Sequence, residues 1–150
     1  MKLPPVARLL PHEGDAALLD EVAALREDGL SAWFTVRPGT VFSEPDGSLA
    51  PWAVPEVMAQ VVSAYGNLTS AAAPSRDVGL LLGIRSCRIE AGAFPAGARL
   101  RVDVTESTRE EDGRGVFNCR IMREESVVAE ARLTAFQPDD PWNALEGQVS

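Results

Sequence analysis

Histidine is almost absent from this chain: among its 150 residues only one, His12, carries an imidazole. Cysteine is scarce as well, with Cys87 and Cys119 the two present. Two cysteines make no disulfide framework. Both stand in apolar, strand-like runs, so buried free thiols are expected. His, Cys and carboxylates nowhere recur at metal-ligand spacing, so no metal centre is expected. No run reaches the roughly eighteen apolar residues that would span a bilayer. The opening MKLPPVARLLPHEGD has no apolar segment followed by a small-residue cleavage site, which argues against a secretory signal and for a cytoplasmic protein. Positive charge is in deficit, 14 Lys and Arg against 22 Asp and Glu, a net of −8. Nucleic-acid binding depends on neutralising phosphates, so that partner is disfavoured. No glycine-rich phosphate loop follows a strand. Ser63, Ser70 and Cys119 have no neighbouring base and make poor nucleophiles.

What is present is the balance of an ordinary globular domain, 45% hydrophobic and 24% charged. The length suits a single domain over residues 1–150, with 138–150 read as a loosely held tail. Residues 4–10 suit one helical turn opened by proline. LLDEVAAL (18–25) fits helix or strand by spacing, and the Glu-Asp-Gly turn after it favours a strand. LSAWFTVR (30–37) alternates, with Leu30, Ala32, Phe34 and Val36 on one face, and completes a hairpin. Residues 38–51 are loop by composition. From Pro55 to about Ala72 the steps Met58, Val61, Val62, Tyr65, Leu68 predict one helix. Its other faces are small or apolar, which marks it as buried. Four strand-like runs follow, at 80–91, 98–108, 116–124 and 127–136, read as successive antiparallel hairpins. Two strands, one long buried helix and four strands predict an α+β fold: an antiparallel sheet wrapped around a central helix.

Several segments carry a resemblance. LLPHEGDAALLDEV (9–22) resembles the opening of 3-hydroxyacyl-[acyl carrier protein] dehydratases. PEVMAQ (55–60) resembles the start of their central helix, with a carboxylate and a Gln four residues on. GIRSCRIEAGAFPAGARLRV (83–102) and VVAEARLTAF (127–136) resemble later strands. The likeness spans residues 6–137. Trp52 ahead of Glu56, the segment 79–83 and AFQP at 135–138 are similar to the divergent dehydratases of aryl polyene clusters. The resemblance implies a hot-dog fold and a dimer, homomeric or with another hot-dog subunit. It implies no bound cofactor, the acyl group being carried on the phosphopantetheine of acyl carrier protein or coenzyme A. It also exposes a departure. The family's catalytic histidine lies fourteen residues before the helix carboxylate, and Phe42 stands there.

Removing water from a 3-hydroxyacyl thioester needs a base at the α-proton, an acid for the leaving hydroxyl and a donor for the thioester oxygen. Glu56 opens a buried helix, where the dipole favours its anion and burial its acid form. Gln60, one turn on, is placed to orient it. A first-turn Glu also serves helix formation alone. In the family the Leu-Pro-His histidine is generally not the base, so His12 suits a structural bond. It is nonetheless the one side chain of a type that normally titrates near neutrality. Phe42, Trp52 and Arg88 are expected at the substrate, and Trp33 suits an acyl pocket or the core. Arg76, Arg85, Arg88, Arg99 and Arg101 form a solvated strand face or a docking patch for an acidic carrier. Three functions follow: dehydratase, acyl-thioester hydrolase, or a non-catalytic subunit that binds carrier protein or a catalytic partner.

Overall fold

The computed structural model describes residues 3–12, 14–69 and 80–136. Six strands form one antiparallel sheet: β1 (Glu21–Arg26), β2 (Gly29–Thr35), β3 (Leu80–Ile89), β4 (Arg99–Arg109), β5 (Arg114–Arg123) and β6 (Ser126–Phe136). The order across the sheet is β1-β2-β4-β5-β6-β3. Among the described residues one α-helix, α1 (Val54–Thr69), lies against its inner face. This is the hot-dog architecture that the element order predicts. Its elements begin and end within a few residues of expectation. Residues 70–72 of the expected helix, and the expected tail, lie outside the described residues.

Periodicity explains which faces meet. Leu30, Ala32 and Phe34 of β2 point inward, as do Leu100, Val102 and Val104 of β4 and Phe117, Cys119 and Ile121 of β5; all are buried. Side chains two apart share a face of a strand, so one alternating set from each strand meets the helix. Val54, Val57, Met58 and Val61 of α1 are fully buried against them. Burying a Val or Met side chain contributes roughly 1.5–3 kcal/mol, so these four turn the apolar helix into the anchor of the core. The β1–β2 turn requires a glycine, because a Cβ on Gly29 would fall 2.1 Å from the Val104 carbonyl oxygen.

The outer face is polar and ordered by register. Ser31 is opposite Asp103, Asp103 opposite Arg120, Arg120 opposite Glu130 and Glu130 opposite Arg88. Opposite charges on directly opposed strand positions attract, and the line runs across five strands. Its centre is Asp103, 8% exposed. Its carboxylate accepts bonds from the Ser31 hydroxyl (2.5 Å) and from the Arg101 guanidinium at both oxygens (3.0 and 3.2 Å), with Arg120 at 3.4 Å. Burial pushes the Asp103 pKa up, but the Ser31 and Arg101 hydrogen bonds and the arginine charges outweigh it and hold it below the ordinary 3.8.

Two expectations are corrected. β3 does not form a hairpin with β4. It pairs with β6, while β4 is flanked by β2 and β5. Residues 90–98 are a crossover: Ala93 and Phe94 are buried, Leu49 N–H donates to Phe94 O, and Gly97 N–H donates to Val36 O. Buried apolar side chains hold this segment over the core, where a tight turn would leave it outside. Cys87, expected to be buried, is exposed on β3; Cys119 is buried. Ser86 and Cys87 follow an irregularity in the β3–β6 register between Ile84 and Ser86, which breaks the alternation assumed for that strand.

Candidate active site

Glu56 sits in the first turn of α1, after a 3-10 turn at Pro51–Ala53. Pro55 suits that place because its missing N–H has no intrahelical partner there anyway. His12 arrives from 44 residues upstream in the chain, and its Nε2 lies 3.4 Å from Glu56 Oε1. Both side chains are about one third exposed (28% and 35%), so the pair is at a boundary between core and solvent.

Two buried amides place the histidine. Gln60, fully buried, accepts the Leu18 N–H at 2.9 Å and donates to Ala16 O at 2.7 Å and to Glu56 Oε1 at 3.2 Å. Asn67, also fully buried, donates to Leu9 O at 2.8 Å. Gln60 and Asn67 are seven residues apart and so share a face of the helix. They hold the N-terminal segment along α1 at two points, one before and one after His12. Leu9 and Leu10, with no exposed surface, add apolar anchorage. Asn67 escaped the sequence reading. Its signal was available: an amide inside an otherwise apolar buried helix must find a partner.

The Glu56–His12 pair opens on a cavity of about 190 Å³ between α1 and the inner sheet face. Its walls include Val62, Ser63, Phe117, Leu133 and Ala135. Ser63, Tyr65, Glu106 and Arg109 add polar groups to this largely apolar wall, and the cavity suits a chain-like ligand.

The structure therefore brings together Glu56, His12 and Gln60. Phe42, Trp52 and Arg88, expected at the substrate, do not line this cavity. Phe42 packs against Trp52, ring centroids 5.7 Å apart, and Trp52 is 62% exposed. Arg88 pairs with Glu130 at 2.8 Å on the outer face, because β3 turns that position away from the helix. Of the arginine run, Arg85 bonds Thr134, Arg99 bonds Glu21 and lies over the Trp33 ring, and Arg101 holds Asp103; Arg76 lies outside the described residues. Among the described residues no helix is long and apolar enough to cross a membrane.

A sheet wrapped around one helix, with a carboxylate at the helix start and a cavity beside it, defines a hot-dog protein. The chain belongs to the ApeP-like dehydratase family, whose model (ApeP dehydratase) matches residues 4–146. That agrees with the resemblance of its motifs to the aryl polyene type. Among solved structures it is similar to a chain of the dehydratase heterocomplex ApeI:P from Xenorhabdus doucetiae, at 28% identity and a TM-score of 0.84, over 97% of each chain. More distant likenesses are a thioesterase of Pseudomonas aeruginosa, PA1618 (16% identity, TM-score 0.59, 77% and 78% covered), and a thioesterase of Haemophilus influenzae, HI1161 (19%, 0.59, 77% and 76%). These two share the fold. No curated protein sequence matched.

Proposed function

We propose that this chain is a cytoplasmic subunit of a 3-hydroxyacyl-thioester dehydratase and that Glu56 and His12 are its acid and base. The observation that carries the reading is the 3.4 Å approach of His12 Nε2 to Glu56 Oε1 beside the cavity. It offers an imidazole where Phe42 leaves the usual position without one. In the step, neutral His12 takes the α-proton. The electron pair left behind forms the carbon–carbon double bond as the C3–O bond breaks. Glu56, entering as the acid, protonates the departing hydroxyl, and water leaves. The imidazolium then returns its proton to the carboxylate across the gap between them. Gln60 holds Glu56 in place throughout. The acyl group arrives on phosphopantetheine, from acyl carrier protein or coenzyme A.

A partner subunit belongs to the proposal. Among the described residues β3 has one neighbour, β6, and it exposes Leu81, Leu82 and Ile84 at 42%, 52% and 47%. An apolar open edge of this kind is normally paired or covered. The heterocomplex form of the Xenorhabdus relative supports a second hot-dog subunit, and the open edge is where this proposal seats it. A particle that stays at 16.1 kDa in light scattering at micromolar concentration, both alone and mixed with such a subunit, would exclude that assembly.

Phe42 favours a second reading, a non-catalytic subunit that stabilises a catalytic one. Enoyl-thioester formation separates the two. It is followed for wild type, His12→Ala and Glu56→Gln, alone and mixed with a hot-dog subunit carrying the usual histidine. Loss of turnover on the order of 10²–10⁴ in His12→Ala, with comparable loss in Glu56→Gln, is expected. Activity that arises only in the mixture, and that neither substitution changes, would refute the acid–base assignment and establish the non-catalytic role.

A further inference from the structure

Two side-chain polar atoms are buried without a hydrogen-bond partner among the described residues, His12 Nδ1 and Ser63 Oγ. The first belongs to the pair just described. The second has no part in it. Ser63 is 6% exposed, lies on α1 and lines the cavity. It stands seven residues beyond Glu56, which on a helix means the same face and roughly 10 Å further along the axis. Buried hydroxyls in native proteins are normally satisfied. Thr69, six residues further along the same helix, shows the local solution, its hydroxyl donating to Tyr65 O at 2.8 Å. Ser63, which also lines the cavity, makes no bond of that kind. The wall beside it is apolar, with Val62, Phe117, Leu133 and Ala135. Glu106 and Arg109, paired at 3.7 Å, also line the cavity. A plain alkyl chain would leave the Ser63 hydroxyl unpaired.

We propose that Ser63 is a specificity-determining residue, which selects acyl chains carrying a hydrogen-bonding group, a hydroxyl or a carbonyl, roughly two helical turns beyond the reacting carbons. The inference rests on the acyl-thioester reading of the site. A site built to bond a substrate hydroxyl discriminates against the analogue lacking it, because its own polar group is then stranded; a purely apolar pocket does so weakly. One hydrogen bond of ordinary net strength corresponds to a preference on the order of 10-fold.

The test uses two pantetheine amides of 3-hydroxyacyl chains with one carbon skeleton, one bearing a distal hydroxyl and one without it. Calorimetric titration is run on the full chain, in the assembly in which it purifies, as wild type, Ser63→Ala and Ser63→Cys. Wild type is expected to bind the hydroxylated probe about 10-fold more tightly. Both variants should lose most of that preference, and Ser63→Ala should melt no lower than wild type, since it removes an unpaired group. Cysteine keeps the size of serine with a weak donor, so it reports even if alanine perturbs the fold. Binding of both probes with no preference, or with a preference that survives both variants, would overturn the role of Ser63 and leave the acyl site standing. Failure of wild type to bind either probe would overturn the acyl-site reading and this inference with it.

Discussion

Replacing Gln60 with leucine tests how the site is assembled. The two side chains are similar in size, so the substitution removes hydrogen bonds while leaving little cavity. Three bonds go: from Leu18 N–H at 2.9 Å, to Ala16 O at 2.7 Å and to Glu56 Oε1 at 3.2 Å. They differ in what is left behind. Glu56 is 35% exposed and Ala16 is exposed, so both can turn to water. Leu18 is 8% exposed, and its N–H is left buried and unpaired. Such a donor costs about 1–3 kcal/mol, while the two re-solvated groups add little. The expected loss is therefore about 2 kcal/mol. For a chain of this length that is roughly 4–8 °C in Tm. The assay is thermal and urea unfolding by circular dichroism at one fixed protein concentration, because assembly shifts apparent stability. Amide exchange at Leu18 should quicken in parallel, and enoyl-forming activity should fall because the strap that brings His12 to Glu56 is loosened. A Gln60→Leu protein within about 0.5 kcal/mol of wild type, with Leu18 still protected, would refute the claim that this amide positions the segment.

Two further outcomes follow from the charged face and the thiols. Asp103→Asn should destabilise the fold by about 1–2 kcal/mol at pH 7, the loss of charge assistance in its bonds to Ser31 and Arg101. The Asp103 pKa is held below the ordinary 3.8 in the folded protein. Its stabilisation is thus full above that pH and lost as pH falls through the lower folded value. The difference between wild type and variant should narrow in acid unfolding below about pH 3.8, and a difference that stays constant there would contradict the assignment. Burial pushes the Cys119 thiol up to about 12. With so little thiolate at pH 8 it should resist alkylation until the protein unfolds, whereas Cys87 is exposed. Peptide mapping that finds Cys119 labelled at native-like rates would count against the packing of β5.

The sequence by itself determined the helix, the six strands and the fold class, because all but the first strand rest on a local period and the turn at 27–29 decides that one. Alternation in 30–37 and 98–108, and three- and four-residue steps from Met58 to Leu68, record which side chains face inward. Glu56 and Gln60 were legible for the same reason, since one helical turn brings them together wherever the helix lies. Strand order was decided by tertiary structure. Nothing local to 80–102 distinguishes a hairpin from a crossover; burial of Ala93 and Phe94 over the core makes the difference. The meeting of His12 with Glu56 was decided there too. It depends on Gln60 and Asn67 satisfying backbone groups more than forty residues away, and a single chain read in order carries no record of distances across such a gap. Arg88 and the rings of Phe42 and Trp52 show the converse. Their chemistry suited a substrate site, but strand register and loop packing place them away from the cavity, because a side chain's direction is fixed by the elements around it.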